Sequence, residues 1–331
     1  MGDAMTDTIL QVDDLHIRFE TYAGTVHAVN GISFEIQRGE MFGLVGESGC
    51  GKSVTGMALM NAIPSPGKIE NGRVLFNGED ILQKNEAQMQ SLRGGRIAMI
   101  FQDPTASLNP VFTIGNQILR QVRQHSARSR KEAEEHAFDF FERVGLPDPK
   151  RIFSAYPHEL SGGMKQRVMI AMGLASGAEF LIADEPTTAL DVTIQAQILA
   201  LLAELREKEN LSILLITHDL GVVAETCERV AVAYAGRVVE TGQVDSVLYA
   251  PKHPYTRGLL AALPDSVQHG QPLQMIKGAV PDGLRPIAGC PFHPRCSDAM
   301  EICSIKEPAQ VQMEDDGHIV ACHLYGEGAN V

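Results

Sequence analysis

The sequence lacks tryptophan, contains only 5% aromatic residues, and has no long hydrophobic run in its 331 residues. Its longest nearly apolar stretch, residues 168–183, is interrupted by Ser176 and Glu179. A membrane-spanning helix needs about 20 consecutive apolar residues. We therefore expect a chain that does not cross a membrane by itself.

Basic residues are outnumbered by acidic ones. The sequence has 28 Lys and Arg and 41 Asp and Glu, which gives a net charge of −13. Surfaces that bind nucleic acid or anionic lipid need clustered Lys and Arg. The one basic cluster, at residues 120–131, is followed by three glutamates and is interpreted as a solvated helix face. The charge balance argues against nucleic acid as a partner.

Cysteine occurs only six times, yet three of the six lie within residues 290–303. With one further thiol they form the spacing C-x5-C-x6-C-x18-C, at Cys290, Cys296, Cys303 and Cys322. An intracellular chain would not normally keep disulfides, and four thiolates suit either zinc or a [4Fe-4S] cluster. His293 and His323 could replace a ligand, and unligated or disulfide-linked thiols are the remaining alternative.

Short apolar runs predict the sheet. They lie at residues 41–45, 97–101, 180–183 and 213–216, and each ends in polar or glycine-rich sequence. Such runs are typical of buried parallel strands. Apolar residues at helical spacing separate the last two runs, which indicates an α/β sheet.

Other segments predict additional units. Alternating residues at 10–19 and 28–36 predict antiparallel strands, and residues 117–144 have a helical pattern. A hairpin is predicted to turn at Ala235 and Gly236. Beyond it, frequent prolines predict a separate loop-rich unit in the last ninety or so residues.

The stretch GESGCGKS, residues 46–53, lies between a predicted strand and a predicted helix, which is the setting of a phosphate-binding loop. Its glycines allow backbone N–H groups and a helix N-terminus to face phosphates. Lys52 supplies a positive charge for the β- and γ-phosphates, and Ser53 supplies a hydroxyl ligand for Mg²⁺. The predicted ATP contacts here are Gly46, Glu47, Ser48, Gly49, Cys50, Gly51, Lys52, Ser53 and Val54.

The run FLIADEP ends a predicted strand with two acids, Asp184 and Glu185. A carboxylate in this position can hold Mg²⁺ directly or through water, which we expect of Asp184. Glu185 could then orient and polarise the attacking water.

Further motifs resemble those of the ATP-binding-cassette ATPases. LSGGMKQR at residues 160–167 is similar to the family signature, while Gln102 in IFQDP, Asp191 in TALD and His218 in LLITHD resemble the Q-loop, D-loop and switch histidine. The resemblance implies that two cassettes pack head to tail with ATP between one phosphate loop and the other's signature.

The resemblance also implies the fold and the remaining site residues. The fold is a P-loop cassette with a mixed sheet core, an antiparallel β subdomain and a helical subdomain at about 106–168. It would occupy residues 1–242, with a metal-binding extension at 243–331. His218 would contact the γ-phosphate, and Gln102 would join the Mg²⁺ site and link it to the membrane partner. Ser161, Gly162, Gly163 and Asp191 would contact the partner's ATP, and Phe19, or alternatively Tyr22, would stack on adenine.

The C-terminal part, with HPYTRGLL and the cysteine segment, resembles the extension of ATP-binding subunits of oligopeptide and dipeptide importers. This implies two permease subunits, an external binding protein and a second ATPase, either related or identical. It places the chain on the cytoplasmic face of a bacterial inner membrane and favours the [4Fe-4S] cluster over zinc. Nickel or glutathione importers, and a soluble regulatory or iron-sensing ATPase, are the alternatives.

Overall fold

The computed structural model describes residues 8–188, 190–263, 276–313 and 317–326. The chain divides into two compact units made of discontinuous segments. The first comprises Met1–Ile9, Ile36–Met41 and Gln83–Leu215, and the second comprises Leu10–Glu35, Phe42–Leu82 and Ile216–Val331. The linear division at residue 242 remains a prediction.

The strands of the described residues are β1 (Thr8–Thr21), β2 (Gly24–Gln37), β3 (Met41–Val45), β4 (Gly67–Phe76), β5 (Glu79–Asp80), β6 (Ile97–Ile100), β7 (Phe180–Asp184), β8 (Ser212–Thr217), β9 (Arg229–Tyr234), β10 (Arg237–Gln243), β11 (Gln310–Gln312) and β12 (Ile319–Ala321). The α-helices are α1 (Lys52–Leu59), α2 (Glu86–Leu92), α3 (Pro104–Ser107), α4 (Ile114–His125), α5 (Arg130–Arg143), α6 (Pro149–Ser154), α7 (Gly162–Ala175), α8 (Val192–Glu209), α9 (Leu220–Thr226), α10 (Val244–Tyr249) and α11 (Pro254–Ala261). All four short apolar runs are strands, so that prediction is confirmed within one residue at each end.

The second unit contains two β layers. In one, the strands lie in the order β2-β1-β4-β5, and β1 pairs with β4 antiparallel. In the other, β11, β12, β10, β9 and β3 are neighbours in that order, with β3 parallel to β9 and the remaining pairs antiparallel. The strands predicted at 10–19 and 28–36 are therefore confirmed as parts of β1 and β2.

The β9–β10 hairpin turns at Ala235 and Gly236, as predicted. Both residues have positive φ, 47° and 77°. Two positive φ angles characterise the tight hairpin turn whose twist matches that of the flanking strands.

The first unit contains the parallel pair β6 and β7 together with β8, whose neighbour is β7. Every residue of β7 and β8 is buried, as the apolar runs predict for strands covered on both faces. Helices α4, α5 and α7 pack on one another between β6 and β7 in the chain. These helices occupy the region where the sequence predicts a helical subdomain.

The C-terminal segment adds strands and helices to the second unit. Glu240 on β10 is 1% exposed, and its carboxylate accepts hydrogen bonds from the backbone N–H groups of Lys252 and His253, at 2.6 and 3.0 Å. His318, also 1% exposed, contacts the same carboxylate through Nε2 at 2.8 Å. One buried side chain thereby connects β10, the start of α11 and the approach to β12.

A membrane-spanning helix is not found within the described ranges, because no helix there is both long and apolar enough.

Replacing Glu240 by Ala should lower the free energy of unfolding by about 3 kcal/mol, because it removes the acceptor of two backbone N–H groups and of a buried histidine. Urea denaturation of the purified chain measures this. Glu307→Ala is the control, since Glu307 forms an exposed ion pair with Arg237 and should cost less than about 1 kcal/mol. Equal losses in the two variants would contradict the role of Glu240.

Candidate functional site

The predicted phosphate loop follows the buried strand β3 and leads into α1. Gly51 is the N-cap of α1, with φ +97°, and a Cβ there would lie 2.4 Å from the carbonyl oxygen of Ala28. A Cβ on Gly46 would lie 2.2 Å from the carbonyl oxygen of Ala233. Any side chain at either glycine would force the loop away from the backbone of β2 or β9.

Lys52 is 5% exposed, and its ammonium group faces the inside of the loop. Its Nζ donates hydrogen bonds to the carbonyl oxygens of Gly46 at 2.7 Å and Glu47 at 3.1 Å. The positive charge is thus held at the N-terminus of α1, where backbone N–H groups already favour anions. Cys50 is buried beside Lys52, and burial raises the pKa of its thiol, so it stays protonated at neutral pH.

In the first unit, β7 ends at the buried Asp184, and Glu185 follows with φ 46°. Positive φ is uncommon for a residue with a side chain and is often found at functional sites. Gln102 donates a hydrogen bond from Nε2 to Oε2 of Glu185 at 2.9 Å, and the hydroxyl of Thr188 donates to the same oxygen at 2.8 Å. The structure therefore brings together Gln102 and Glu185, which the sequence predicts separately.

The signature segment begins α7. Ser161 caps this helix by accepting a hydrogen bond from the N–H of Met164 at 3.4 Å. A Cβ on Gly163 would lie 2.8 Å from Cγ2 of Ile194, so the glycine permits close packing on α8. Asp191 caps α8 in turn, since its carboxylate accepts from the N–H of Ile194 at 3.0 Å.

The same unit thereby holds the predicted signature glycines, Gly162 and Gly163, next to the start of the predicted D-loop helix. Gly162 would meet Cδ2 of Leu190 at 3.4 Å if it carried a Cβ. The caps give Ser161 and Asp191 a local structural role, and their contact with a partner's ATP remains a prediction.

His218 in the second unit is exposed and directly follows β8. Ser53 and Val54 lie in the first turn of α1. The positions of these three residues agree with the motif order, while their roles toward ATP remain predictions.

The two candidate rings for adenine differ in exposure. Phe19 is half-buried, and a Cβ on Gly67 would lie 2.5 Å from its Cε1, which shows that the ring packs on β4. Tyr22 lies in the turn between β1 and β2 and is fully exposed. Only the Tyr22 ring therefore has both faces open to a base.

The four-cysteine segment does not show the predicted metal site. Nowhere in the described ranges do three His, Cys, Asp or Glu side chains stand so that they could hold a metal ion. The structure therefore does not support the predicted zinc or [4Fe-4S] ligation by Cys290, Cys296, Cys303 and Cys322. As they stand, the four sulfurs are free thiols.

The thiols nevertheless lie in one region. Burial raises the pKa of Cys322 to about 11, with a further contribution from the negative charges that Cys290, Cys296 and Cys303 would carry as thiolates. Burial also raises the pKa values of Cys290 and Cys296. At neutral pH these three side chains are therefore neutral thiols in the absence of a ligand.

Comparison with known proteins identifies two family regions. Residues 29–188 match the ABC transporter family, and residues 239–303 match the oligopeptide/dipeptide transporter C-terminal region. Dipeptide transport ATP-binding protein DppD of Bacillus subtilis is 46% identical over 98% of this chain and 96% of its own. Oligopeptide transport ATP-binding protein OppD of the same organism is 48% identical over 98% and 91%. This chain belongs to the ABC transporter ATP-binding subunits.

Solved cassettes agree with this family assignment. The dimeric bacterial ABC transporter cassette MJ0796 superimposes with a TM-score of 0.63 at 25% identity, covering 71% of this chain and 98% of that one. CbiO1 of Clostridium perfringens superimposes with the same TM-score at 30% identity, covering 74% and 92%. The predicted P-loop cassette fold is confirmed. The prediction that the chain is an ATPase is supported by its membership of this family.

Sequence reasoning missed Thr188 of this cassette. Its hydroxyl donates a hydrogen bond to Glu185, yet the sequence analysis assigns roles only to Asp184, Glu185 and Asp191 in the run ADEPTTALD. The available signal was its position three residues after Glu185. A turn at that spacing brings the two side chains together, and here the N–H of Thr188 donates to the carbonyl oxygen of Glu185 at 3.3 Å.

If adenine stacks on an aromatic ring of this cassette, Tyr22→Ala should weaken ATP binding about tenfold, since base stacking contributes about 1–3 kcal/mol. Phe19→Ala, the matched control, should lower the melting temperature while ATP affinity is retained. Fluorescence titration with an ATP analogue measures the affinity of each variant, and thermal denaturation measures its melting temperature. The opposite pattern of affinities would assign the stacking to Phe19.

Proposed function

We propose that this chain is the ATP-hydrolysing subunit of an importer of dipeptides or oligopeptides, and that it powers transport through two separate permease subunits. The observation that carries this proposal is the similarity to peptide transport ATP-binding proteins over 98% of the chain, which includes the C-terminal region as well as the cassette.

The phosphate loop has the chemistry that ATP and Mg²⁺ require. It presents a helix N-terminus and a buried ammonium group, and Ser53 in the same helix start carries a hydroxyl suited to Mg²⁺. In the first unit, Gln102 and Asp184 carry the amide and carboxylate oxygens that the family resemblance assigns to the metal ion. Bound Mg²⁺ would neutralise charge developing on the phosphates. Lys52 would move from the loop carbonyls toward the γ-phosphate.

Glu185 is the proposed general base. Its Oε2 accepts hydrogen bonds from Gln102 and Thr188, which orients the carboxylate. A carboxylate held in this way can accept a proton from water. His218 would donate a hydrogen bond to the γ-phosphate. A preset carboxylate avoids reorganisation during hydrolysis, which is the usual source of catalytic advantage at such sites.

The signature of this chain would serve the ATP of a second cassette, either a related subunit or another copy. Ser161, Gly162 and Gly163 offer a helix N-terminus to a phosphate, and Asp191 lies at the start of the adjacent helix. The dimeric structure of MJ0796 supports a two-cassette assembly. ATP would then favour the closed dimer, and hydrolysis would allow it to open.

Exposed apolar residues support a docking surface for the permease near Gln102. Phe101 is 46% exposed, Val111 is 70% exposed and Phe112 is 49% exposed, and all three lie in the segment between β6 and α4. Exposed large apolar side chains within one segment are a feature expected of a protein interface. A permease bound there would place the chain on the cytoplasmic face of a bacterial inner membrane, opposite an external binding protein.

Glu185→Gln tests this function, because the amide cannot accept the proton of the attacking water. We expect ATP turnover at least about a hundredfold lower, ATP binding retained, and peptide uptake lost from cells carrying the variant. Glu209→Gln, on the exposed end of α8 and paired with Arg143, is the control and should behave as wild type. Uptake unchanged in Glu185→Gln would refute a transport role and favour a regulatory one. Uptake of nickel or glutathione instead of peptide would assign the alternative cargo.

The [4Fe-4S] cluster of the extension remains a proposal. It is supported by the packing of Cys290, Cys296 and Cys303 in one cluster, where the N–H of Cys290 donates to the carbonyl oxygen of Cys303 at 2.8 Å, and by the burial of Cys322. Thiolates are the usual ligands of such clusters, and ligation would add stability to a segment rich in loops.

Anaerobic purification with the permease subunits, followed by iron, sulfide and zinc analysis, tests the cluster. We expect about four irons and four sulfides per chain with broad visible absorption. Cys322→Ser should lose them, whereas Cys227→Ser, outside the segment, should keep them. Zinc without sulfide would show a structural zinc site, and a preparation without metal would remove the proposal while leaving the ATPase assignment intact.

A further inference from the structure

The phosphate loop is contacted by a residue far along the chain. Arg295, in the short 3-10 helix His293–Arg295, donates from Nη1 to Oε2 of Glu47 at 2.7 Å and from Nη2 to Oε1 at 3.0 Å. Both residues belong to the second compact unit. The Arg295 side chain is 6% exposed, so water competes little for this two-point pair.

Arg295 has little freedom to move. Its Nε donates to the carbonyl oxygen of Lys277 at 3.0 Å, and its Nη2 also approaches that of Gly278 at 3.4 Å. The guanidinium carbon lies 5.7 Å from the centre of the Tyr234 ring, within the range of a cation–π interaction. The guanidinium is therefore fixed by the extension and by β9 before any nucleotide binds.

Glu47 is held a second time through its backbone. Its N–H donates to the hydroxyl oxygen of Tyr255 at 2.9 Å, and Tyr255 is fully buried in α11. The Tyr255 ring packs against Tyr234 and Phe292, with ring centres 4.7 and 5.3 Å away. Nδ1 of the buried His253 accepts the N–H of Tyr255 at 3.0 Å, which fixes the start of the helix.

These contacts fix the position of Glu47 at the start of the phosphate loop. The carbonyl oxygens of Gly46 and Glu47 are the acceptors of Lys52, so the orientation of the Glu47 peptide also determines where the ammonium group rests. An exposed ion pair would contribute little, but this pair joins a buried guanidinium to a loop whose shape binds phosphate.

We propose that Arg295 and Tyr255 are positioning residues for ATP, through which the C-terminal extension presets the phosphate loop and determines its affinity for nucleotide. The inference rests on the ATP site proposed above. The two residues touch Glu47 and no reacting atom, so their effect falls on binding rather than on the hydrolysis step.

The test uses the full-length chain and measures ATP binding by titration calorimetry and steady-state hydrolysis for each variant. Arg295→Gln should raise the Kd and KM for ATP about tenfold, with kcat at saturating ATP within about twofold of wild type. Arg295→Lys should recover only part of the affinity, because an ammonium cannot make the two parallel bonds. Tyr255→Phe, which removes one hydroxyl, should also raise KM.

Arg257→Gln is the matched control, since Arg257 lies in the same extension and bonds Tyr325 at 2.7 Å without touching the loop. Its ATP affinity should equal that of wild type. Glu47→Gln should weaken ATP binding as Arg295→Gln does, and the double variant should be no weaker than either single one, as expected for two residues that act through one contact.

Wild-type affinity in Arg295→Gln would overturn the inference while leaving the ATP-binding function intact. Equal weakening in Arg295→Gln and Arg257→Gln would also overturn it, since the loss would then be general to the extension. A wild-type chain that failed to bind ATP would instead refute the proposed function itself.

Discussion

The close approach of backbone at two glycines is the constraint on which the phosphate loop depends. Gly46 and Gly51 lie so near the carbonyl oxygens of Ala233 and Ala28 that no side chain fits at either position. This contact lets the loop turn tightly from β3 into α1 and places Lys52 inside it. The loop is therefore shaped by the strands beneath it, and a phosphate would meet N–H groups already arranged for an anion.

In the first unit, a strand end and two helix caps position the predicted site residues. The buried strand β7 delivers Asp184 to its carboxyl end, and the positive φ of Glu185 turns the next carboxylate toward Gln102 and Thr188. Ser161 and Asp191 cap two helices that pack closely because Gly163 carries no side chain. Residues of the cassette motifs thus have local structural roles in addition to those proposed toward ATP.

The C-terminal extension contributes contacts to β10 and to the phosphate loop. Glu240 connects its helices and strands to β10, and Tyr255 and Arg295 reach the phosphate loop. The C-terminal segment therefore contacts the predicted phosphate loop directly. The cysteines next to Arg295 do not form a metal site as they stand, and the spacing alone could not predict the distances between their sulfurs.

Much of this protein is determined by local sequence. The apolar runs predict the buried strands because burial on both faces requires unbroken hydrophobic sequence, and GESGCGKS predicts the loop because only glycine allows its turns. Tertiary structure alone decides that Gln102 bonds Glu185, that Phe19 packs on Gly67 while Tyr22 is exposed, and that Arg295 pairs with Glu47. Partners separated by up to 248 residues leave no local pattern, because their contact is created only when distant segments pack together.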